Sequence, residues 1–450
     1  MDTSHVAMEP GDIAATGAVG VILAIAMFVG GSSQEAGAGL AVAAALSLPL
    51  LAWGAWRWLR TDAAAAVPTA WLGLLALVAI LPLLQLLPMP AGWGGPGRRE
   101  LYADLAAVGV APAGRWSLAP DAVHASMLAL LPAAAVFLLT LGLPARGQRI
   151  VVMVVVGLAM ASLLLGLAQL GAPQESALNP YPEWAPAMNG FFANPNHQAT
   201  LLVVAATLAC AGSVRALHDW RKGRAQRGLA ALAGAVALLL ALAALPLTGS
   251  RAGVVLAILA LGVMVALQRP FRLGSGRGRV ALVAGIAAAV AGLVAALRWM
   301  RVDSVDELRA PLRAATAELA ARYSPLGSGV GSYGPVFEQE APPSLLMSEY
   351  VNHAHNEYVQ WLLEAGLPAM GLMLAGTALL TVTFVAIQRQ APRDRVVAQS
   401  AFVALLVVLA HSLVDYPLRT PAMLAIAAAL VGVAASGGRS PAAALVPRGS

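Results

Sequence analysis

Apolar runs recur along the whole chain, and the connectors between them carry most of the charged residues. Each run is about 20 residues long, enough for a helix to cross the ~30 Å hydrocarbon core of a bilayer. The pattern therefore predicts an all-α polytopic membrane protein with about twelve transmembrane helices. The spans are expected at residues 13–30, 36–56, 64–87, 122–143, 150–170, 197–214, 229–247, 252–267, 280–297, 366–387, 396–414 and 420–436.

Composition supports this class and excludes others. The chain is 59% hydrophobic and 11% charged, with a mean hydropathy of +0.75, whereas soluble domains carry roughly 25% charged residues. The net charge of +6 comes from basic residues in connectors, which is a topology signal rather than a nucleic-acid-binding stripe. Cys210 is the one cysteine of the sequence, so no intramolecular disulfide forms.

The placement of Arg and Lys predicts the orientation. With a cytoplasmic N-terminus, most of these residues fall in cytoplasmic connectors, as expected for a membrane protein. Both termini are then cytoplasmic, and the opposite, periplasmic face holds three longer connectors at 88–121, 171–196 and 298–365. The third is the largest, and helical spacing of its apolar residues predicts that it contains helices.

The rest of the organisation is simple. Residues 1–444 are predicted to form a single membrane domain that includes the 298–365 loop. Residues 445–450, LVPRGS, resemble the protease-site remnant of an expression vector and are excluded from the fold.

Residues that could carry chemistry crowd the outer face. Five polar motifs fall there, while the cytoplasmic connectors contain little beyond Arg, Gly and Pro. The motifs are GFFANPNH (190–197), TGSRAG (248–253), SPLGSGVGSY (324–333), HAHNEY (353–358) and HSLVDYPLR (411–419).

Arg251 and His355 are the main catalytic candidates. Arg251 opens the eighth span, and its planar fork suits phosphate oxygens, although arginines at interfaces also snorkel. His355 could act as a general base or simply cap a helix. His353 lies two residues earlier, off the same helical face, and is expected to support His355. The HxH pair could supply two zinc ligands, but no third is evident, so no metal is expected.

The remaining motifs allow both structural and functional interpretations. The glycine-rich run 327–331 could cradle phosphate, but a tight turn that aims the next helix is favoured. Asn194 and His197 could bond sugar hydroxyls or cap the sixth span. The last motif is interpreted as a structural polar cluster more than a catalytic one, and it contains His411, Asp415 and Arg419.

These motifs, in this order, resemble the O-antigen ligase and Wzy-type polysaccharide polymerase superfamily over residues 191–419. The ligase signature is His, then Asn, Ser or Gln, nine residues, then Gly-x-x-Gly/Thr/Tyr. His355, Asn356 and Gly366 fit it. Ala369 at the last position departs from it, which favours a polymerase or general exopolysaccharide role.

The resemblance implies a GT-C-like glycosyltransferase of the bacterial inner membrane with a periplasmic active site. Its donor would be a glycan on undecaprenyl diphosphate, transferred en bloc with inversion and without a metal ion or other cofactor. The acceptor would be a second lipid-linked repeat or lipid A-core, with polysaccharide-assembly proteins as candidate partners. Arg251 would bind the diphosphate, His355 would be the essential histidine, and Arg309 or Arg322 would supply a second arginine.

Further substrate-binding candidates come from the same motifs: Asn194, His197, His353, Asn356 and Arg419. A transporter or flippase is the alternative function, since twelve spans suit one, and an assembly scaffold without chemistry is a third. Transporters tend to hold ionisable groups at mid-membrane. Here the spans are nearly free of charge and the polar residues crowd one face, which favours the enzyme.

Overall fold

The computed structural model describes residues 8–33, 37–60, 66–89, 91–112, 114–184, 187–224, 227–268, 294, 304–345, 351–391 and 395–436. Within these ranges the fold is all-α, and the one β feature is an isolated bridge between Pro88 and Arg115. The predicted fold class is confirmed.

Fourteen α-helices follow one another in the described residues. They are α1 (Pro10–Val29), α2 (Ala38–Leu59), α3 (Ala66–Gln85), α4 (Pro96–Ala107), α5 (Pro120–Leu141), α6 (Ala145–Gln169), α7 (Pro195–Arg221), α8 (Arg227–Ala244), α9 (Arg251–Gln268), α10 (Ser304–Arg322), α11 (Tyr333–Glu340), α12 (Glu357–Gln388), α13 (Arg395–His411) and α14 (Pro421–Ser436).

Nine helices in the described part of the chain are long and apolar enough to cross a membrane: α1, α2, α3, α5, α6, α7, α8 with the turn that follows it, α9 and α12. The shorter α13 and α14 are also apolar. These eleven helices match eleven of the twelve predicted spans. The remaining predicted span, at 280–297, lies outside the described residues apart from position 294.

The centre of the bundle is α7, the most buried of the nine. It packs against α8, α9 and α13. In lipid, helices associate through close packing rather than through a hydrophobic driving force, so small residues at the contacts matter. Gly253 of α9 shows this, because a Cβ built there would lie 2.9 Å from the Cβ of Ala199 on α7.

Backbone contacts sort the connectors into two ends of the bundle. At one end, the carbonyl of Gly30 accepts from Ala422 N–H (3.0 Å) and that of Gly31 accepts from Ala193 N–H (3.1 Å). The other end holds the Asp12–Arg57 ion pair. The five polar motifs therefore gather at the end where α1 finishes, and the start of α1 lies at the opposite end.

The large loop between α9 and α12 has a small core of its own. Buried residues of α10, α11 and the start of α12 pack together, among them Leu312, Leu319, Tyr333, Phe337 and Leu363. Next to this core, α4 lies in the connector between α3 and α5. That helix has no apolar stripe strong enough to predict it, and it is held by Arg98, which is buried and donates to the carbonyls of Arg115 and Trp116.

The glycine-rich turn packs on α12, as the structural interpretation predicts. Four consecutive N–H groups, from Gly327 to Val330, all donate within the protein: to Tyr323 O, Leu363 O, Glu364 O and Gln85 Oε1. With its donors used, this turn does not offer a phosphate cradle. It meets α12 where that helix is interrupted by Gly366 (φ 55°, ψ −136°).

Candidate functional site

Four segments converge on Asp415 at the end of the bundle where α1 finishes. They are the N-terminus of α7, the middle of α10, the extended stretch before α12 and the turn between α13 and α14. Asp415 lies in this turn, within the HSLVDYPLR motif, and is fully buried. The carboxylate is thus a buried charge that must be compensated by its neighbours.

The compensation comes from four side chains and one backbone N–H. The Nδ2 of Asn194 and the N–H of Tyr416 donate to Oδ1 at 3.2 and 2.8 Å. The longer contacts are His197 Nε2 to Oδ1 at 3.4 Å, His355 Nδ1 to Oδ1 at 3.7 Å and Arg309 Nη2 to Oδ2 at 3.6 Å. Burial alone would raise the pKa of Asp415, but the contact with His197 and the charges of His355 and Arg309 outweigh it and hold this pKa well below its usual value. Asp415 is therefore ionised.

His355 occupies a strained position next to this carboxylate. Its φ of 48° is in the left-handed region, which non-glycine residues rarely adopt. Asn356 keeps His355 in this conformation through two hydrogen bonds. Its Oδ1 caps α12 by accepting from Val359 N–H (3.1 Å), and its Nδ2 donates to Leu413 O (2.8 Å). Strain of this kind clusters at functional sites. The 3.7 Å between Nδ1 and Asp415 Oδ1 is longer than a hydrogen bond, so the carboxylate acts on His355 through its charge, which stabilises the protonated form of the ring during proton transfer.

The contacts around Asp415 form a first polar chain, and a second polar chain runs from Arg419 to His353. Arg419 Nη1 donates to both oxygens of Glu364, at 3.1 and 2.8 Å, and Glu364 is almost fully buried. Gln360 Nε2 then donates to Glu364 Oε1 (2.9 Å) and lies 3.1 Å from His353 Nδ1. This chain links the α13–α14 turn to α12 and places His353 beside His355.

Tyr416 separates the three imidazoles of the site. Its ring centroid lies 5.0 Å from that of His197, 4.3 Å from His353 and 5.0 Å from His355. Burial, and then the charge of Asp415, raise the pKa of Tyr416. The phenol is therefore neutral, and it packs against the three histidine rings and fixes their positions.

The two arginines proposed as alternatives lie in different surroundings. Arg309 contacts Asp415 and donates to Val414 O at 3.2 Å. Arg322, at the C-terminal end of α10, pairs with Glu100 of α4 and Glu340 of α11. Of the two, Arg309 belongs to the cluster.

Arg251 begins α9, directly after a turn with Gly249 at φ 73°. The close contact of Gly253 with Ala199 packs this helix start on the first turns of α7, two residues from His197. Arg251 thus lies at the same end of the bundle as the Asp415 cluster.

Sequence reasoning missed several members of the site. The sequence favours a structural role for Asp415, and the structure shows that its carboxylate contacts His197, His355 and Arg309. Tyr416 and Gln360 were not singled out at all. A signal for Asp415 existed, since a carboxylate in an outer-face motif of a chain this poor in charge needs a partner.

A family model described as O-Antigen ligase matches residues 236–374. The resemblance to the O-antigen ligase and Wzy superfamily is confirmed. No curated protein matches the chain. The matched range includes Arg251, Arg309 and His355, while Asp415 and Arg419 lie beyond it. Together with the nine apolar helices of the described residues, the match indicates a multi-pass membrane glycosyltransferase of the O-antigen ligase or polymerase type.

Proposed function

We propose that the protein transfers a glycan from undecaprenyl diphosphate to a sugar hydroxyl, with His355 as the assisting base. The observation that carries this proposal is the contact between His355, held at positive φ, and the buried, ionised Asp415. A histidine whose protonated form is stabilised by a nearby negative charge is suited to general base catalysis. The family match supports a glycan as the group transferred.

The reaction is a single displacement at the anomeric carbon. The acceptor oxygen attacks, the bond between that carbon and the diphosphate oxygen breaks, and the configuration inverts. The hydroxyl proton passes to His355, where Asp415 stabilises the imidazolium. The departing diphosphate takes the bonding electron pair.

Arginines stabilise the diphosphate as it leaves. Arg309 flanks Asp415, and Arg251 begins α9 beside the N-terminal turns of α7. Fixed positive charges stabilise a developing anion more in a site of low dielectric than in water. With this charge supplied by guanidinium groups, the transfer proceeds without a metal ion or another cofactor.

The remaining candidates divide between support of the site and contact with the glycan. Asn194, His197, His353, Asn356 and Arg419 lie in or next to the two polar chains. Asn194 and Asn356 support the site, because Oδ1 of each caps a helix, α7 or α12, and Nδ2 of each donates to Asp415 or to Leu413 O. The other three contact the glycan. The site opens on the periplasmic face of the inner membrane, because the positive-inside pattern sends this end of the bundle outward. The lipid tail of the donor lies between helices in the bilayer.

The acceptor is a second lipid-linked repeat if the protein is a polymerase, or lipid A-core if it is a ligase, each working beside other polysaccharide-assembly proteins. Ala369, which departs from the ligase signature, is fully buried against Leu81 and Ala365. A small side chain there serves helix packing on α3, so Ala369 carries little weight for either acceptor.

Transfer by purified protein tests the proposal. Radiolabelled glycan on undecaprenyl diphosphate is offered in separate reactions with lipid A-core and with unlabelled lipid-linked repeat. A glycosylated product with equimolar release of undecaprenyl diphosphate supports the proposal, and the productive acceptor identifies the subtype. Absence of product from both acceptors, together with movement of the donor across vesicle membranes, would favour the flippase.

A further inference from the structure

The second polar chain fixes how His353 carries its proton. Gln360 Oε1 accepts from the N–H of Ala354 (3.2 Å), which sets the orientation of the amide. Gln360 Nε2 therefore carries the two N–H groups. One is directed at Glu364 Oε1 (2.9 Å) and the other at His353 Nδ1 (3.1 Å).

An amide nitrogen is only a donor, so His353 Nδ1 has to be an acceptor. In a neutral imidazole one nitrogen accepts and the other carries the proton. The proton of His353 is therefore on Nε2. Which nitrogen is protonated follows from the bond that the other nitrogen makes.

The ring is kept neutral by its surroundings. Burial first, and then the positive charge of Arg419 and the nearby His355, lower the pKa of His353 well below its ordinary value. The ring also packs on Tyr416, with centroids 4.3 Å apart. A neutral, oriented ring is suited to donating a hydrogen bond and unsuited to acting as a second base that competes with His355.

The donor on Nε2 is buried and has no hydrogen-bond partner among the residues that the structure describes. A buried N–H without a partner costs free energy comparable to a lost hydrogen bond, so such groups call for an explanation. Arg419 shows the same feature, because Nε and Nη2 are likewise buried without a partner in the described ranges. His353 and Arg419 thus both have hydrogen-bond donors at the site that no described residue accepts.

We propose that His353 donates a hydrogen bond from Nε2–H to an oxygen of the bound glycan substrate, and that Gln360 and Glu364 are positioning residues that fix this tautomer. The inference rests on the proposed glycosyl transfer. It assigns His353 a role different from that of His355: orientation of an oxygen acceptor rather than proton removal.

Matched substitutions of His353 test the donor. The amide nitrogen of Gln reaches the position of imidazole Nε2, whereas that of Asn reaches Nδ1. His353→Gln is expected to keep most of the transfer activity, and His353→Asn to lose about 10-fold or more in kcat/KM, the range for one lost hydrogen bond. Whether the KM of the lipid-linked donor or of the acceptor glycan rises identifies the substrate that supplies the oxygen. Equal activity of the two variants would overturn the proposal.

The positioning role is tested by a double-mutant cycle. Gln360→Glu replaces the N–H that faces Nδ1 with a carboxylate oxygen, which favours the opposite tautomer. The variant also removes the N–H donated to Glu364, and that part of the loss is common to both backgrounds. We therefore expect a clearly larger loss in the wild-type background, where the tautomer of His353 changes as well, than in the His353→Gln background. Equal losses in both backgrounds would mean that Gln360 acts through folding alone, and the positioning role would be wrong.

A readout independent of activity separates this inference from the proposed function. Nitrogen-15 NMR of histidine-labelled protein, with His353 assigned by difference from His353→Gln, reports the protonated nitrogen directly. Protonated Nε2 with unprotonated Nδ1 is expected even if the enzymatic assignment fails. An Nδ1–H tautomer or a charged ring would contradict the inference even in an active enzyme.

Discussion

Replacing Asp415 by Asn removes one charge from the centre of the site and almost none of its volume. The amide oxygen still accepts from Asn194 and from the N–H of Tyr416, which now bond to Oδ1. What is lost is the negative charge that faces His355 and Arg309. The variant therefore isolates electrostatics from packing.

The size of the effect follows from the geometry. His355 Nδ1 lies 3.7 Å from Asp415 Oδ1, the carboxylate is fully buried and the imidazole is 14% exposed. With an effective dielectric constant of ~20, Coulomb's law gives about 4 kcal/mol for a protonated His355 at this distance. If that energy stabilises the imidazolium formed during transfer, kcat falls roughly 10³-fold.

The assay is the initial rate of glycan transfer by purified protein, with thermal unfolding measured on the same sample. Asp12→Asn is the matched control, since Asp12 also pairs with an arginine, Arg57, but at the opposite end of the bundle. Partly exposed ion pairs contribute about 1 kcal/mol or less to the free energy of unfolding. This variant therefore stays folded and keeps nearly full activity. A folded Asp415→Asn protein with more than about a tenth of the wild-type kcat would refute the electrostatic reasoning.

Three further predictions follow from the contacts. Arg309→Gln lowers the rate of transfer about 10²-fold, the scale of one lost electrostatic donor. Arg322→Gln, whose partners are Glu100 and Glu340, mainly lowers the melting temperature of the protein. Equal losses of activity in the two variants would contradict this division. Gly366→Ala lowers the melting temperature strongly, because φ is 55° and its Cβ would lie 2.1 Å from Pro325 O, whereas Gly371→Ala has nothing within 4 Å and leaves it unchanged. Since the pKa of His353 is lower in the folded protein than its ordinary 6.5, the unfolded state binds more protons below that pH; stability is therefore full above pH 6.5 and declines on acidification. Thermal unfolding from pH 8 to 5 should show this decline, and an unchanged slope in His353→Gln would assign it to another group.

The spans were predictable because bilayer thickness imposes a length on every apolar run. The predicted helix in the large loop is present as α10 for a similar reason, since Leu308, Leu312 and Leu319 recur at helical spacing. The α4 helix lacked that signal. Its position depends on buried Arg98, whose partners come from a different segment of the chain.

The centre of the site was less predictable. Asn194 and Asp415 are 221 residues apart in sequence, and no local pattern indicates that they meet. Sequence could not choose between Arg309 and Arg322, since both lie in one loop helix, and the structure separates them by their acidic partners. The tautomer of His353 depends on Gln360, a residue with no motif of its own.

His355 is the residue on which the proposed glycan transfer from a lipid diphosphate depends most. The most direct measurement is the initial rate of labelled product formation by wild type and by His355→Ala, in protein shown to be folded by thermal unfolding. We expect a loss of about 10²-fold or more in the variant, the usual contribution of a general base. Product formation by His355→Ala at the wild-type rate would contradict it.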